Sequence, residues 1–253
     1  MRICRVSVDG ELHYAVMEGE AVALLSSHPF GPFEPSGQVL RISDVTLVAP
    51  VLPSKIVAVA KNYVDHAKEM DGEVPAEPMI FLKPSTAVIG PGDPITLPWQ
   101  SEQVEHEAEL AVVIGRLCRD VPEDRVPEVV LGYTCANDVT ARDLQRTDGQ
   151  WGRAKGFDTF CPLGPWIETS LDLDDSDITC LVNGDVRQAG STGDMVRGVP
   201  ELVSWISSVM TLLPGDVILT GTPAGVSPVH AGDVVTVSID GIGSLANPVV
   251  DRV

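Results

Sequence analysis

Hydrophobic and polar positions alternate through much of the first fifty residues. Residues 4–8 and 12–16 both show this alternation, and Asp9-Gly10 between them is typical of a β-hairpin turn. Residues 27–37 are rich in Pro, Gly and Ser, which indicates a loop. We therefore predict a small β-rich N-terminal subdomain over residues 1–50, followed by a main domain over residues 51–253.

Apolar runs of strand length recur through the main domain. They lie at residues 55–60, 79–83, 110–114, 129–135, 216–220 and 234–239. Residues 178–188 carry Asn183-Gly184 at their centre, which predicts a second hairpin. The whole pattern predicts a mainly β protein of the α+β class with short helices.

The clearest helix in the sequence lies late in the chain. Pro200 suits a first helical turn and Pro214-Gly215 suits a stop, so we predict a helix over residues 200–213. Its apolar stripe consists of Leu202, Val203, Ile206, Val209, Met210 and Leu213. A stripe at this spacing is predicted to pack on the core.

Composition and charge exclude several classes of protein. The chain has 253 residues, of which 44% are hydrophobic, enough for one large core or two smaller ones. No apolar run approaches the roughly 20 residues that span a bilayer, and the strand-like sequence after residues 1–5 leads us to expect no secretory signal peptide. The net charge of −19 disfavours binding to nucleic acid or to an anionic membrane. Five cysteines without a C-x-x-C pair indicate free thiols in a reducing cytoplasm.

Acidic residues stand at the ends of two predicted strands. Glu107 and Glu109 are two positions apart, so in a strand they share a face beside an apolar run. Asp138 follows the run 129–135, where a strand ends. Three carboxylates there would bind a hard divalent cation and leave positions for water and substrate. The alternatives are glutamates that face solvent, or a structural Ca²⁺ site, which would need more oxygen ligands.

His66 and Glu69 form a second candidate pair. They are three residues apart and would be neighbours on one helical turn. A carboxylate beside an imidazole fixes the tautomer and raises the basicity of the ring, so the pair could activate water or shuttle a proton. The alternative is an ordinary surface ion pair on a polar helix.

Three further polar residues have chemistry that suits an acidic ligand. Arg142 and Gln145 follow Asp138 by four and seven residues, a helical spacing. Arg binds carboxylates bidentately and Gln can hold a carbonyl or enol oxygen, whereas the alternative is a surface network with Asp143. Lys83 either neutralises a substrate carboxylate or is a solvated lysine at a strand edge.

Several ordered blocks resemble the fumarylacetoacetate hydrolase family, from about residue 55 to the C-terminus. They include Asn62-Tyr63-Val64-Asp65-His66, Phe81-Leu82-Lys83-Pro84, His106-Glu107-Ala108-Glu109-Leu110, Asn137-Asp138-Val139-Thr140-Ala141-Arg142-Asp143-Leu144-Gln145, Trp151-Gly152-Arg153-Ala154-Lys155-Gly156-Phe157-Asp158 and Gly221-Thr222-Pro223-Ala224-Gly225-Val226. The resemblance implies the mixed β-sandwich or roll of that family. Members are commonly homodimers, so we expect a homodimer here.

The resemblance also implies roles for individual residues. His66 and Glu69 match the catalytic dyad of the family, on a segment that orders over the ligand. Lys155, otherwise an ordinary surface lysine, is expected to polarise the substrate oxygen, and Thr222 to reach the substrate carboxylate. Glu107, Glu109 and Asp138 are expected to bind Mg²⁺ or Mn²⁺.

The activity implied is that of a divalent-metal-dependent enzyme that acts on small 2-oxo or 2-hydroxy acids through a metal-bound enolate. We expect a reaction like that of 2-hydroxyhepta-2,4-diene-1,7-dioate isomerase, or C–C bond hydrolysis of the acylpyruvate or fumarylacetoacetate type. The alternatives are an oxaloacetate-type decarboxylase and a catalytically silent metal-binding protein with the same fold.

Two local features bear on the shape of this site. The family usually has Gly at the position of Ala60, and Ala disfavours a positive φ and narrows the space near the metal. Residues 71–78 have the composition of a mobile lid.

Overall fold

The computed structural model describes residues 1–70 and 72–252. Within these residues strands are far more extensive than helices, which confirms the prediction of a mainly β protein of the α+β class. No helix in this described part of the chain is long and apolar enough to cross a membrane.

The N-terminal fifty residues form consecutive antiparallel strands. These are β1 (Arg2–Val8), β2 (Glu11–Glu18), β3 (Ala21–Leu25), β4 (Pro35–Arg41) and β5 (Thr46–Val48). Asp9 and Gly10 have φ values of 51° and 87°, and Val8 pairs with Glu11 across them. Positive φ at both turn residues matches the twist of the strands, so the predicted hairpin is confirmed.

The rest of the chain supplies the other strands and the α-helices. The strands are β6 (Ile56–Ala60), β7 (Met79–Lys83), β8 (Val88–Ile89), β9 (Ile95–Leu97), β10 (Val104–Glu105), β11 (Ala108–Ile114), β12 (Val130–Asn137), β13 (Thr140–Ala141), β14 (Cys161–Glu168), β15 (Asp177–Val182), β16 (Asp185–Ser191), β17 (Val217–Leu219), β18 (Val234–Ile239) and β19 (Gly243–Asp251). The helices are α1 (Val64–Glu69), α2 (Arg142–Asp148), α3 (Gly152–Gly156) and α4 (Val199–Val209). Each apolar run that predicted a strand is occupied by one.

A single large sheet runs through both parts of the chain. Among the described residues its order is β4-β3-β2-β1-β14-β12-β11-β17-β6-β7, with β5 paired to β1 and β8 to β14. The seam between the two parts is short, since β1 pairs with β14 through Arg2↔Glu168 and Ile3↔Ile167. β7 is the outer strand at the other end of the sheet.

A second sheet packs on the large one to form a sandwich. Its order is β16-β15-β18-β19-β9, and β15, β18 and β19 contact β11, β12 and β14. The hairpin predicted at Asn183-Gly184 is confirmed, with φ values of 54° and 87° between β15 and β16. The largest apolar core lies between the sheets.

The alternation along β11 explains where the acidic residues lie. Leu110, Val112 and Ile114 enter the core between the sheets, whereas Ala111 and Val113 belong to a second core on the opposite face. Successive strand residues point to opposite faces, so residues two apart share a face. Glu109 therefore lies on the same face as Ala111. The carboxylate side chains therefore lie on the outer face of the large sheet, away from the sandwich core.

The predicted helix over residues 200–213 is too long. α4 ends at Val209, and Met210 is extended with φ −146° and ψ 151°. Leu212 instead forms two backbone hydrogen bonds with Cys118, of 2.9 and 3.0 Å. Leu202, Val203 and Ile206 are buried as predicted. The exposed fraction is 48% for Val209 and 37% for Leu213, so these two residues do not pack fully on the core.

Most of the predicted lid, residues 71–78, belongs to the described part of the chain. Asp71 is outside the described residues, and residues 72–78 contain neither helix nor strand. Arg197 Nη2 donates hydrogen bonds to the carbonyl oxygens of Pro75 and Ala76, of 2.7 and 2.8 Å, and so attaches this segment to the chain before α4.

Because β12 packs closely against β14, one methyl group added at Gly132 should destabilise the fold. A Cβ atom on Gly132 would overlap the carbonyl oxygen of Glu168. We expect Gly132→Ala to lower the free energy of unfolding by ~2 kcal/mol, because backbone must move to accept it. Urea unfolding measures this. Gly152→Ala is the control, because no atom lies within 4 Å of its added Cβ. Equal stability of the two variants would contradict the prediction.

Candidate active site

The three predicted metal-ligand carboxylates meet at one point. Glu107 directly precedes β11, Glu109 lies within it, and Asp138 directly follows β12. The backbone N–H of Asp138 donates to the carbonyl of Glu107 at 2.9 Å, which joins the two strand ends. One oxygen of each carboxylate lies within 4.8 Å of the others, and all three residues are buried. The alternative of glutamates facing solvent is therefore wrong.

Basic side chains surround two of these carboxylates. Lys155 Nζ donates to Glu107 Oε2 at 2.7 Å and to Asp138 Oδ2 at 2.6 Å. Arg142 Nη2 donates to Glu107 Oε1 at 2.6 Å. Burial raises the pKa of Glu107, but the nearby Lys155 and Arg142 cations lower it by a larger amount. The net shift of this pKa is therefore downward. Lys155 is itself buried, and the two carboxylates raise its pKa against the effect of burial. Lys155 therefore lies at the carboxylate cluster and not at the surface, and its predicted role toward the substrate oxygen stays a prediction.

Glu109 differs from its two neighbours. It accepts one hydrogen bond, from Gly221 N at 2.6 Å, and forms no salt bridge within residues 1–70 and 72–252. Burial raises its pKa, and the charges of Asp138 and Glu107 raise it further. A buried carboxylate without a cation is unfavourable. A hard divalent cation would supply the missing positive charge, so the three residues fit Mg²⁺ or Mn²⁺.

The His66 ring and the Glu69 carboxylate are paired as expected. His66 Nδ1 lies 3.2 Å from Glu69 Oε2, and Gly225 N donates to both oxygens of Glu69, at 3.0 and 3.2 Å. A proton on Nδ1, donated to Glu69, leaves Nε2 as the basic nitrogen. His66 is only 7% exposed, whereas Glu69 lies at the surface, so the pair joins a buried imidazole to an exposed carboxylate.

Asn62 holds the start of this helical segment in place. Its Nδ2 donates to the carbonyl oxygens of Thr220 and Arg197, at 2.8 and 3.0 Å, and its Oδ1 accepts from Arg197 N at 3.0 Å. The side chain thereby joins α1 to the ends of β17 and α4. Asn62 belongs to a sequence block that resembles the family, but its residue type alone did not predict this role.

One cavity of about 200 Å³ collects most of the predicted residues. Its lining includes His66, Glu107, Glu109, Asp138, Arg142, Gln145, Lys155 and Thr222. Glu69 and Lys83 are not part of that lining. The other lining residues, which sequence analysis did not single out for chemistry, are Val59, Ala60, Lys61, Met70, Phe81, Arg146 and Trp151.

Arg142 belongs to a buried network rather than to the surface. Its Nε donates to Glu105 Oε2 at 2.7 Å, and its Nη1 donates to Gln145 Oε1 at 2.6 Å. Asp143 instead accepts from Ser101 Oγ at 2.6 Å, so the predicted alternative network is wrong. Because the Gln145 carbonyl is occupied by Arg142, its NH₂ group is the part that can donate to a ligand oxygen.

The hydroxyl of Thr222 is already used within the protein. It donates to the carbonyl of Ala108 at 2.8 Å and accepts from Gln188 Nε2 at 2.7 Å. Gln188 Oε1 in turn accepts from Ala108 N at 2.9 Å and lies 2.9 Å from His106 Nδ1. The predicted contact between Thr222 and a substrate carboxylate stays a prediction, but the hydroxyl proton points at Ala108. Gln188 lies 34 residues from Thr222 and 80 from Ala108 in the sequence, and nothing local to it signals this role.

Lys83 fits neither interpretation made from sequence. It is 1% exposed, which excludes a solvated strand edge, and it does not line the cavity. Its Nζ donates to Asp138 Oδ1 at 2.6 Å and to the carbonyl of Val139 at 3.3 Å. Lys83 therefore binds the carboxylate of Asp138, one of the three predicted metal ligands, from outside the cavity.

Removal of the Lys83 charge should destabilise the metal-free protein. We expect Lys83→Met to lower the free energy of unfolding by ~3 kcal/mol, because Asp138 loses a buried partner. Chemical denaturation after treatment with EDTA measures this. Lys68→Met is the matched control: its exposed pair with Asp65 should contribute at most ~0.5 kcal/mol. Loss of stability no larger than in the control would show that Lys83 is not needed to balance Asp138.

Ala60 does not disturb the turn. It ends β6 in extended conformation, and the positive φ of this turn, 56°, belongs to Lys61. Ala60 lines the cavity, as expected from its place beside the metal-ligand residues. The backbone at position 60 is not left-handed, so Ala can replace Gly there without strain.

Known proteins match this chain in both sequence and fold. Residues 55–250 match the family described as fumarylacetoacetate (FAA) hydrolase C-terminal, and residues 1–50 match the family described as Rv2993c-like, N-terminal. The solved structure of 2-hydroxyhepta-2,4-diene-1,7-dioate isomerase from Mycobacterium marinum is 49% identical, with a TM-score of 0.93, over 100% of this chain and 99% of that chain.

Two further relatives carry different names. Oxaloacetate tautomerase FAHD2A, mitochondrial, from Homo sapiens is 46% identical over 225 residues, which are 84% of this chain and 72% of the human protein. The solved structure of maleylpyruvate hydrolase from Sphingobium sp. SYK-6, in complex with manganese(II) ion and pyruvate, is 33% identical, with a TM-score of 0.84, over 100% of both chains.

These matches extend over nearly the whole chain, and the expected mixed β-sandwich fold is confirmed by the near-complete superposition on the isomerase. The family contains hydrolases and isomerases. On its sequence blocks, fold and family match, the chain belongs to the fumarylacetoacetate hydrolase family of enzymes.

Proposed function

We propose that this protein is a Mg²⁺- or Mn²⁺-dependent enzyme that moves a proton between carbon and oxygen in a small 2-oxo acid and its enol. The observation that carries the proposal is the buried meeting of Glu107, Glu109 and Asp138 in a cavity that also contains His66. A bound divalent ion would supply Lewis-acid polarisation of the 2-oxo group.

Charge at the site favours an anionic ligand once the ion is bound. Among the described residues in this network, four buried carboxylates face three buried cations: Glu105, Glu107, Glu109 and Asp138 against Lys83, Arg142 and Lys155. A divalent ion reverses the local balance to one positive charge. A substrate carboxylate neutralises that charge, so the interior can attract an acid although the whole protein is strongly negative.

His66 is the residue placed to move the proton. Its Nδ1 is held by Glu69, which is itself held by Gly225 N, so Nε2 is available to accept a proton from carbon and return it. A fixed carboxylate also stabilises the imidazolium that forms in between. Lys155 and the Gln145 NH₂ group are hydrogen-bond donors on the cavity wall, suited to a substrate oxygen that gains negative charge.

Proton transfer is better supported than hydrolysis. The isomerase and the tautomerase, which are 49% and 46% identical to this chain, are both named for shifts of a proton. The maleylpyruvate hydrolase is 33% identical. Hydrolysis of a C–C bond in an acylpyruvate is the second candidate, because the complex of that hydrolase with manganese(II) and pyruvate concerns the same class of acid.

The test is a panel of substrates with metal-free protein to which Mg²⁺ or Mn²⁺ is returned. Ketonisation of enol-oxaloacetate and isomerisation of a 2-hydroxy-dienoate report proton transfer, and loss of an acylpyruvate chromophore reports hydrolysis. We expect metal-dependent proton transfer to be the fastest reaction. No metal-dependent turnover of any of these acids would refute the proposal, and hydrolysis faster than proton transfer would favour the second candidate.

A further inference from the structure

Gln188 is a fully buried amide on a strand whose other side chains are exposed or half-buried. Along β16, an outer strand of the second sheet whose seven residues are all described, Gln188 alone is buried. Its exposed fraction is 0%, whereas that of the apolar Val186 is 62%. Burial of an amide is costly unless its hydrogen bonds are satisfied. The position of Gln188 therefore indicates a use for its polar atoms.

A β-bulge turns Gln188 toward the interior. In the pairing of β15 with β16, Cys180 lies opposite Gln188 and Leu181 lies opposite Val186. Arg187 is therefore the extra residue of β16. Bulges re-aim side chains and are frequent beside active sites. This bulge explains why Val186 and Gln188, two positions apart, do not share a face.

All four hydrogen-bonding positions of the Gln188 amide are used. Nε2 donates to Thr222 Oγ1 and to the carbonyl of Pro223, both at 2.7 Å. Oε1 accepts from Ala108 N at 2.9 Å and lies 2.9 Å from His106 Nδ1. The Pro223 carbonyl can only accept and the Ala108 N–H can only donate, so these two partners fix the orientation of the amide.

Gln188 and Thr222 give Ala108 the partners that a neighbouring strand would give. β11 pairs with β17 through residues 111–113, and β17 ends at Leu219, so no residue of β17 lies opposite Ala108. The N–H of Ala108 instead donates to Gln188 Oε1 at 2.9 Å, and its carbonyl accepts from Thr222 Oγ1 at 2.8 Å. Two side chains thus replace a strand partner at this residue.

Ala108 lies between two of the predicted metal ligands. The peptide group that joins Glu107 to Ala108 is held through its N–H by Gln188. The peptide group that joins Ala108 to Glu109 is held through its carbonyl by Thr222. These two peptide groups set the angle between the Glu107 and Glu109 side chains. The two contacts therefore limit how far the carboxylates can move apart.

We infer that Gln188 is a positioning residue that fixes the spacing of the Glu107 and Glu109 carboxylates and thereby matches the site to a small ion such as Mg²⁺. The inference rests on the proposed function, because it concerns the ion of that site. Mg²⁺ requires near-ideal octahedral geometry with oxygen atoms at about 2.0–2.1 Å, whereas Ca²⁺ accepts about 2.3–2.6 Å and irregular geometry. Looser carboxylates therefore weaken Mg²⁺ binding more than Ca²⁺ binding.

Binding of the two ions to metal-free protein tests this inference without any measurement of turnover. Gln188→Met keeps the length of the side chain but removes its hydrogen bonds. We expect calorimetry to show a rise of about 10- to 100-fold in the dissociation constant of Mg²⁺, the usual effect of removing a residue that orients a metal ligand. The dissociation constant of Ca²⁺ should change less than about threefold. A general loss of stability would not move the ratio of the two constants.

Asn247→Leu is the matched control for the loss of a buried amide. Asn247 is 2% exposed on β19 of the same sheet. Its Nδ2 donates to the carbonyls of Gly90 and Asp93 at 2.8 and 2.9 Å, and none of these three residues lines the cavity of the ion site. This variant should also lower stability, but it should leave the ratio of the Mg²⁺ and Ca²⁺ dissociation constants within about twofold of the unaltered protein.

A second pair of variants covers the case in which Gln188→Met does not fold. Thr222→Val removes the hydroxyl that binds the Ala108 carbonyl, and Thr222→Ser retains a hydroxyl. Thr222→Val should raise the dissociation constant of Mg²⁺ relative to that of Ca²⁺ by about tenfold. Thr222→Ser should keep the ratio within about twofold of the unaltered protein.

The outcomes separate this inference from the proposed function. Equal weakening of Mg²⁺ and Ca²⁺ binding in Gln188→Met, or no weakening of either, overturns the inference while the proposed ion site stands. A shift of the ratio in Asn247→Leu as large as in Gln188→Met also overturns it, because the loss of any buried amide would then have this effect. If Gln188→Met does not fold, an unchanged ratio in Thr222→Val overturns it. If the unaltered protein binds neither ion, the proposed function fails and this inference fails with it.

Discussion

Glu109→Gln is expected to abolish metal-dependent activity without unfolding the protein. The substitution preserves the shape of the side chain and an acceptor for Gly221 N, but it removes one of the three carboxylates proposed to bind the ion. Loss of several kcal/mol of electrostatic stabilisation corresponds to a fall in kcat/KM of about 1,000-fold or more. We expect the Mg²⁺ affinity measured by calorimetry to fall at least ~100-fold.

The stability of the metal-free protein makes this prediction specific. Because Glu109 is buried without a cation, a neutral amide should raise the unfolding temperature of the metal-free form, by about 2–4 °C for each kcal/mol gained. Glu107→Gln is the control, since it deprives Lys155 and Arg142 of a partner and should lower that temperature. Mg²⁺ should then raise the unfolding temperature of the unaltered protein but not of Glu109→Gln. A variant still stabilised by Mg²⁺ and still active would refute the metal assignment.

His66→Asn is expected to reduce kcat by about 10²- to 10⁴-fold, the usual contribution of a general acid–base residue. The asparagine amide can still donate to Glu69, so α1 should keep its place, but no group remains to accept a proton from carbon. Mg²⁺ affinity and KM should change little, because among the described residues His66 forms no side-chain hydrogen bond or salt bridge with Glu107, Glu109 or Asp138. Steady-state kinetics with calorimetry measures both.

The matched control for His66 is His230→Asn. The His230 side chain is 80% exposed and lies in a loop before β18, so its loss should leave kcat within about twofold. A His66→Asn enzyme with a kcat close to that of this control would remove the dyad from the mechanism. A fall in Mg²⁺ affinity instead of kcat would show that His66 acts on the ion site.

Local sequence was sufficient for the elements that carry the acidic ligands. The two-residue spacing of Glu107 and Glu109, and the strand end before Asp138, follow from alternation and from the length of apolar runs. The antiparallel pairing of Ala108 with Asn137 then brings Asp138 to the other two, a pairing that the strand ends made plausible but that no local pattern specified. The hairpins at Asp9-Gly10 and Asn183-Gly184 were predictable because their turn residues adopt positive φ readily.

Contacts between distant parts of the chain were not predictable from local pattern. Lys83 has the sequence context of an edge lysine, and only the packing of β7 beside Asp138 shows that it is buried. Likewise, no periodicity indicates that Leu212 leaves the helix to pair with Cys118. The same limit applies to Gln188 and to the Gly225 N–H that holds Glu69, since each acts from a segment far along the chain.

The pairing of β1 with β14 has a consequence for any exchange of N-terminal segments. Residues 1–50 join the large sheet through the two residue pairs between β1 and β14, besides core packing and the salt bridges of Met1 and Arg2 with Glu168. β14 is the direct neighbour of β12, which ends at the residue before Asp138. A foreign segment grafted at this boundary has to rebuild that seam. Otherwise it leaves an open strand edge, prone to aggregation, one strand away from the catalytic centre.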